Sequence, residues 1–144
     1  MAPLVGVLAL QGAFREHGRM LRSLGAEVRE VRLPHDLRGL DGLAMPGGES
    51  TSMGRLMEAH DLVVPLREFA QRHPVLATCA GLILLARRLT GSGRSQTLLG
   101  LLDVAVERNG WGRQVDSFEA PLDLHPPLPE PEHAFPGVFI RAPR

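Results

Sequence analysis

The chain opens its pattern with a nearly unbroken apolar run, Leu4-Val5-Gly6-Val7-Leu8-Ala9-Leu10. It lacks the polar alternation of a half-exposed strand, so it predicts a strand buried on both faces, as in a parallel sheet. Phe14, His17, Leu21 and Leu24 then recur at helical spacing, and Gly25 stands where that helix would end. Residues 28–33 predict a second strand closed by Pro34, and residues 40–45 a third that stops at Pro46-Gly47-Gly48. Ser50, Thr51 and Ser52 offer caps for the helix that follows. Residues 74–78 predict a fourth strand and the apolar residues 80–89 a further helix. Strand and helix alternate in this way through residue 89. The fold class is therefore α/β: an open, mainly parallel sheet with helices on both faces, whose ligands bind outside the carboxyl ends of the strands.

Beyond Leu89 the pattern changes. Residues 90–96 form a Gly/Ser-rich connection, and residues 98–108 and 114–124 are extended runs separated by the turn signal Asn109-Gly110-Trp111-Gly112. An antiparallel excursion near residues 98–124 is expected. The proline-rich residues 125–136 predict an irregular loop, and Val138-Phe139-Ile140 a last strand.

At 144 residues and 44% hydrophobic content, the chain is sized for one domain, residues 1–144. Sixteen basic residues balance sixteen acidic ones, so bulk charge selects neither nucleic acid nor an anionic membrane. Every basic residue is arginine, which excludes a lysine Schiff base and a lysine-containing phosphate loop. A single cysteine cannot close an internal disulfide, residues 4–10 are too short for a signal peptide, and no segment approaches the roughly 20 apolar residues of a membrane span. A cytoplasmic protein is expected. No His/Cys cluster has metal-ligand spacing, so neither a metal nor another cofactor is expected.

The chemistry concentrates at three predicted strand ends: Leu10-Gln11-Gly12, Pro46-Gly47-Gly48-Glu49-Ser50 and Thr78-Cys79-Ala80-Gly81. Cys79, the lone cysteine, lies where a strand runs into a helix. Small neighbours at Ala77, Ala80 and Gly81 leave room for a nucleophile elbow, and a helix start favours anions through its unpaired N–H groups and its dipole. A packed core thiol is the competing reading. Consecutive glycines at 47 and 48 would let backbone N–H groups approach a ligand, as an oxyanion hole requires; an ordinary Gly-Gly turn is the alternative.

Five strings, VLALQGAFREH, MPGGEST, ATCAGLILLA, VERNGWGRQVDSFEA and GVFIRAP, closely resemble the glutaminase subunits of pyridoxal 5'-phosphate synthases, a branch of the class I, triad-type glutamine amidotransferases. They occur in that family's order, and the resemblance runs from Val5 to Pro143. PGGES and C-x-G mark only the wider superfamily, whereas the 106–120 string narrows the match to this branch. Ala77 stands where the family usually has glycine.

The resemblance implies a flavodoxin-like fold and hydrolysis of L-glutamine through a thioester on Cys79, with Gly48 and Ala80 supplying oxyanion N–H groups. It places Gly47, Gly48, Glu49, Arg108, Ile140 and Arg141 around the substrate; read on its own, Arg108 favours a solvated charge at a strand end. It implies a barrel-shaped synthase subunit as the partner that receives ammonia, with Gln11 and the helix face of Arg15 and Glu16 as gating or docking elements. Triad glutaminases also carry a later His-x-Glu pair, for which this sequence has no matching position. His17, His35, His60, His73, His125 and His133 are each read as structural, and no base is assigned. Weak activity at most, and a natural chain longer by a few tens of residues, are the expectations that follow. A glutaminase serving another acceptor, such as imidazole glycerol phosphate, and a non-catalytic binding or regulatory module stay open as alternatives.

Overall fold

The computed structural model describes residues 1–91, 95–124 and 135–144. Its elements, in order, are β1 (Leu4–Leu8), α1 (Phe14–Ser23), β2 (Glu27–Val31), a 3-10 turn at Pro34–Leu37, β3 (Gly42–Met45), α2 (Ser50–Ala59), α3 (Val63–Ala70), β4 (Val75–Ala77), α4 (Ala80–Leu85), β5 (Ala86–Thr90), β6 (Leu102–Glu107), a 3-10 turn at Gln114–Asp116, β7 (Phe118–Leu122) and β8 (Phe135–Phe139). These fall into two compact units, residues 1–106 and 107–144.

The first unit is built on a four-stranded sheet of order β2-β1-β3-β4. All three pairings are parallel, with Val5 opposite both Val28 and Gly42, and Ala44 opposite Leu76. The expected parallel α/β architecture is therefore present, flanked by helices. Because β1 connects to β2 on one side while β3 lies on the other, the connections leaving β1 and β3 diverge at their carboxyl ends. That divergence opens the crevice at which ligands bind in open α/β sheets.

One face of the sheet is sealed by a core in which Leu8, Met53, Met57, Leu62, Leu66 and Leu84 are almost wholly buried, with Val31, Leu43 and Met45 supplied by the strands. The apolar runs of the sequence become this core because each strand and helix must remove its apolar face from water. Helix α1 lies against β1 and β2, where Val28 packs on the buried Gly18.

Two local expectations differ from the structure. The apolar run after Cys79 is helical only to Leu85; Ala86 turns extended (φ −61°, ψ 155°) and begins β5. Its last carbonyls, on Leu84 and Leu85, accept from the N–H groups of Leu99 and Leu101, so a distant segment takes bonds that helix continuation would have used. Second, the cap of α2 is Glu49, whose carboxylate accepts from the N–H groups of Thr51 and Ser52, rather than any of the three hydroxyl residues that follow it. The expected antiparallel excursion is present, with the partner strand of its ladder further along the chain. β6 pairs with β5, and the antiparallel ladder joins β7 to β8, from Phe118 opposite Phe139 to Leu122 opposite Phe135. Among the described residues, no helix is long and apolar enough to cross a membrane.

Candidate active site

Cys79 sits at the turn between β4 and α4, exposed, with φ 47° and ψ −108°. A side-chain-bearing residue with positive φ is strained, and such strain persists only where the surroundings over-determine it. Here they do. The Thr78 N–H donates to the Met45 carbonyl at 3.1 Å, the Thr78 carbonyl accepts from Gly81 N–H at 2.8 Å, and the Cys79 carbonyl accepts from Ile83 N–H at 3.1 Å. Gly81 is required because any side chain there would run into the Met45 carbonyl. This is the strand-turn-helix geometry of a nucleophile elbow, with the thiol outside the sheet's carboxyl edge. Ala80 begins α4, so its N–H belongs to the donors that a helix start leaves without an intrahelical partner.

The loop after β3 comes to the same place. A methyl group added at Gly47 would lie 3.3 Å from the Cys79 Cβ, which places the glycine backbone directly against Cys79. The Gly47 carbonyl accepts from Ala13 N–H at 3.0 Å. In a trans peptide the carbonyl and the following N–H point in opposite directions, so this bond turns the Gly48 N–H away from the start of α1. The Gln11 side-chain oxygen accepts from Glu49 N–H at 2.7 Å, tying the end of β1 to the same loop. The three strand ends singled out in the sequence are thus joined by hydrogen bonds.

Glu49 points its carboxylate into α2. Burial acts to raise its carboxyl, but the Ser52 hydroxyl and N–H and the Thr51 N–H together outweigh that and bring it down to about 2. One Glu49 oxygen lies 2.7 Å from the Ser52 hydroxyl and 2.8 Å from its N–H. Behind it, the Ser50 and Thr51 hydroxyls both donate to the Gln96 side-chain oxygen. Neither Ser52 nor Gln96 was expected near the site. A cleft of about 350 Å³ beside α2 is lined by Thr51, Arg55, Glu58 and residues 95–97, and so by none of the expected substrate contacts.

His17 was read as structural. It lies one turn into α1, with Nδ1 2.9 Å from the Ala13 carbonyl oxygen and Nε2 3.3 Å from the Thr78 hydroxyl. Its place in the string VLALQGAFREH was the only signal for this. Among the other histidines, His35 meets Asp36 at 3.3 Å, His60 ends α2 and His73 stacks on Phe69. His125 and His133 lie outside the described residues.

Arg108, Ile140 and Arg141 belong to the second unit, which brings their two segments together. Glu107 and Arg144 exchange backbone hydrogen bonds of 2.6 and 3.0 Å, and Arg141 Nε donates to the Asn109 side-chain oxygen at 3.4 Å. Asn109 (φ 53°) and Arg141 (φ 47°) are both left-handed, so the two facing turns carry local strain. Arg108 is half-buried, whereas Ile140 and Arg141 are exposed. Among the described residues, no group of three or more His, Cys, Asp or Glu side chains could hold a metal ion.

The chain is similar to proteins of known family. A protein of Deinococcus radiodurans named pyridoxal 5'-phosphate synthase subunit PdxT is 59% identical, over 96% of this chain and 71% of the relative. The protein of the same name from Pelotomaculum thermopropionicum is 55% identical, over 96% of this chain and 69% of the relative. A crystal structure described as a glutamine amidotransferase superposes with a TM-score of 0.83 at 45% identity, covering 96% of this chain and 71% of that one. A putative peptidase E of Listeria monocytogenes, with a TM-score of 0.57 at 16% identity, shares the fold alone. The family model described as the SNO glutamine amidotransferase family matches residues 7–144. With the elbow, the glycine loop and these relatives in agreement, the chain belongs to the SNO glutamine amidotransferase family.

Proposed function

We propose that this chain is the glutaminase subunit of a pyridoxal 5'-phosphate synthase, acting in the cytoplasm and delivering ammonia from L-glutamine to a barrel-shaped synthase subunit. The observation that carries this reading is Cys79 held at φ 47° with the Gly47 backbone packed against it, in a chain 59% identical to a PdxT protein.

The Cys79 sulfur attacks the side-chain amide carbon of glutamine, forming a C–S bond as the carbonyl π electrons move onto oxygen. The Gly48 and Ala80 N–H groups stabilise that oxyanion; in comparable sites, losing one donor slows turnover about a hundredfold or more. Collapse breaks the C–N bond, and the nitrogen takes up the proton that the thiol gave up and leaves as ammonia. Water then adds to the thioester, expelling the sulfur and releasing glutamate. Gly47, Gly48 and Glu49 line the substrate; on the second unit, a guanidinium such as that of Arg108 is of the kind that suits a carboxylate through paired N–H donors. Gln11 is a gating or docking element for the synthase.

Labelling with 6-diazo-5-oxo-L-norleucine, with the adduct mapped by peptide mass, tests the nucleophile. A single adduct on Cys79 is expected, and an unlabelled Cys79 would overturn the glutaminase reading. Ammonia release measured with and without the synthase subunit of the same organism tests the partner. Stimulation is expected, whereas stimulation only by a synthase for imidazole glycerol phosphate would reassign the acceptor.

A further inference from the structure

We propose that His17 is a positioning residue for Cys79, acting through the hydroxyl of Thr78; this rests on the reading of Cys79 as nucleophile. The Ala13 carbonyl oxygen can only accept, so the ring nitrogen 2.9 Å from it, Nδ1, carries the hydrogen. In the neutral ring, Nε2 then presents a lone pair, and the Thr78 hydroxyl 3.3 Å away donates to it. The tautomer is set from inside α1 and aimed at the elbow. The same Ala13 donates its N–H to the Gly47 carbonyl. One helical turn, from Ala13 to His17, thereby grips both the glycine loop and the residue preceding the nucleophile.

Among the described residues, Thr78 is otherwise fixed only through its backbone, by the bonds to Met45 and Gly81. Those bonds hold the strand end in the sheet and close the turn. The hydroxyl bond adds a third tether, from a different element. Because Thr78 is β-branched, fixing its hydroxyl selects one χ1 rotamer and with it the placement of the backbone entering Cys79. The left-handed φ of Cys79 is costly, and a tether on the preceding residue opposes its relaxation. His17 and Thr78 are 61 residues apart in sequence, so the contact is a tertiary choice rather than a local one.

The test compares His17→Ala, His17→Gln, Thr78→Val, Thr78→Ser and the double variant His17→Ala/Thr78→Val. The rate of Cys79 alkylation by 6-diazo-5-oxo-L-norleucine is resolved into a maximal rate and a half-saturating concentration. His17→Ala and Thr78→Val are expected to lower the maximal rate about three- to tenfold, the range a single net hydrogen bond spans. The half-saturating concentration and the unfolding midpoint should stay unchanged. His17→Gln, whose oxygen reaches the place of Nε2, and Thr78→Ser should recover most of the rate. The double variant should be no slower than either single, as one shared bond requires. A wild-type rate in His17→Ala, losses that multiply in the double variant, or an altered half-saturating concentration would each overturn the proposal. Should His17→Ala fail to fold, the Thr78 pair tests the same bond from an exposed site. If the diazo compound leaves wild-type Cys79 unlabelled, the glutaminase reading fails, and iodoacetamide rates on the same five variants still decide the positioning role.

Discussion

Residues 1–106 and residues 107–144 hold themselves together by different means. In the first unit, four parallel strands and four helices enclose side chains such as Met53, Leu62 and Leu84 that water does not reach. In the second, Trp111, Phe118 and Phe139 lean on one another at ring separations of 4.7 to 5.8 Å, with the Arg144 guanidinium over the indole, yet Trp111 keeps 43% and Phe118 39% of its surface exposed. Chemistry is divided accordingly. Cys79 and the glycine loop stand on the densely packed unit, and Arg108 and Arg141 on the one secured by a short ladder and stacked rings. A residue with strained backbone such as Cys79 persists only where its surroundings over-determine it, and the dense unit supplies those surroundings.

The two units can be followed separately. All four α-helices of the described residues lie within 1–106, and the one tryptophan lies within 107–144. Helical circular dichroism and tryptophan fluorescence therefore report different units. The largest effect is expected from Leu84→Ala, which should cost about 2–5 kcal/mol in the dichroism transition by opening a cavity at a fully buried site. Phe118→Ala should cost about 1 kcal/mol, through lost ring stacking, and should appear first in the fluorescence transition. Coincident transitions in both variants would break the distinction and make the chain one cooperative body. The smallest effect concerns Glu49. Its carboxyl lies near 2 when folded, against an ordinary value of 4.5, so its contribution is complete above about pH 4.5 and is lost as pH falls from there toward 2. Glu49→Gln should flatten the acid side of the dichroism stability profile by less than about 1 kcal/mol, since the cap is exposed.

Much of the first unit was legible in the sequence because parallel strands are nearly continuous apolar runs and their turns are marked by Gly, Pro and Ser. The runs at 4–10, 40–45 and 74–78 contain β1, β3 and β4, and the three strand ends carrying Gln11, Gly47 and Cys79 do meet. What was illegible depended on partners distant in sequence. The run 82–85 suits helix or strand equally, and where its helix stops is decided by the N–H groups of Leu99 and Leu101. Ser50, Thr51 and Ser52 advertised a cap that Glu49 takes, because its longer side chain reaches two N–H groups and a hydroxyl at once. The extended runs and the turn signal at Asn109-Gly110 announced an antiparallel excursion, and β7 and β8 supply it, but no local signal named β8 as the partner. His17 looked structural since its helix spacing showed an inward face, not what lay opposite.

The left-handed backbone at Cys79 sets activity and durability against each other at a single position. Glycine would accept φ 47° without strain, removing roughly 1–3 kcal/mol held by the cysteine and giving back about 0.5–1 kcal/mol through its freer unfolded chain. Cys79→Gly should therefore yield an inert protein that outlasts the active one on heating. A screen that rewards heat resistance alone would favour loss of the sulfur, so retention of cysteine here becomes a signature of selection for turnover rather than for folding.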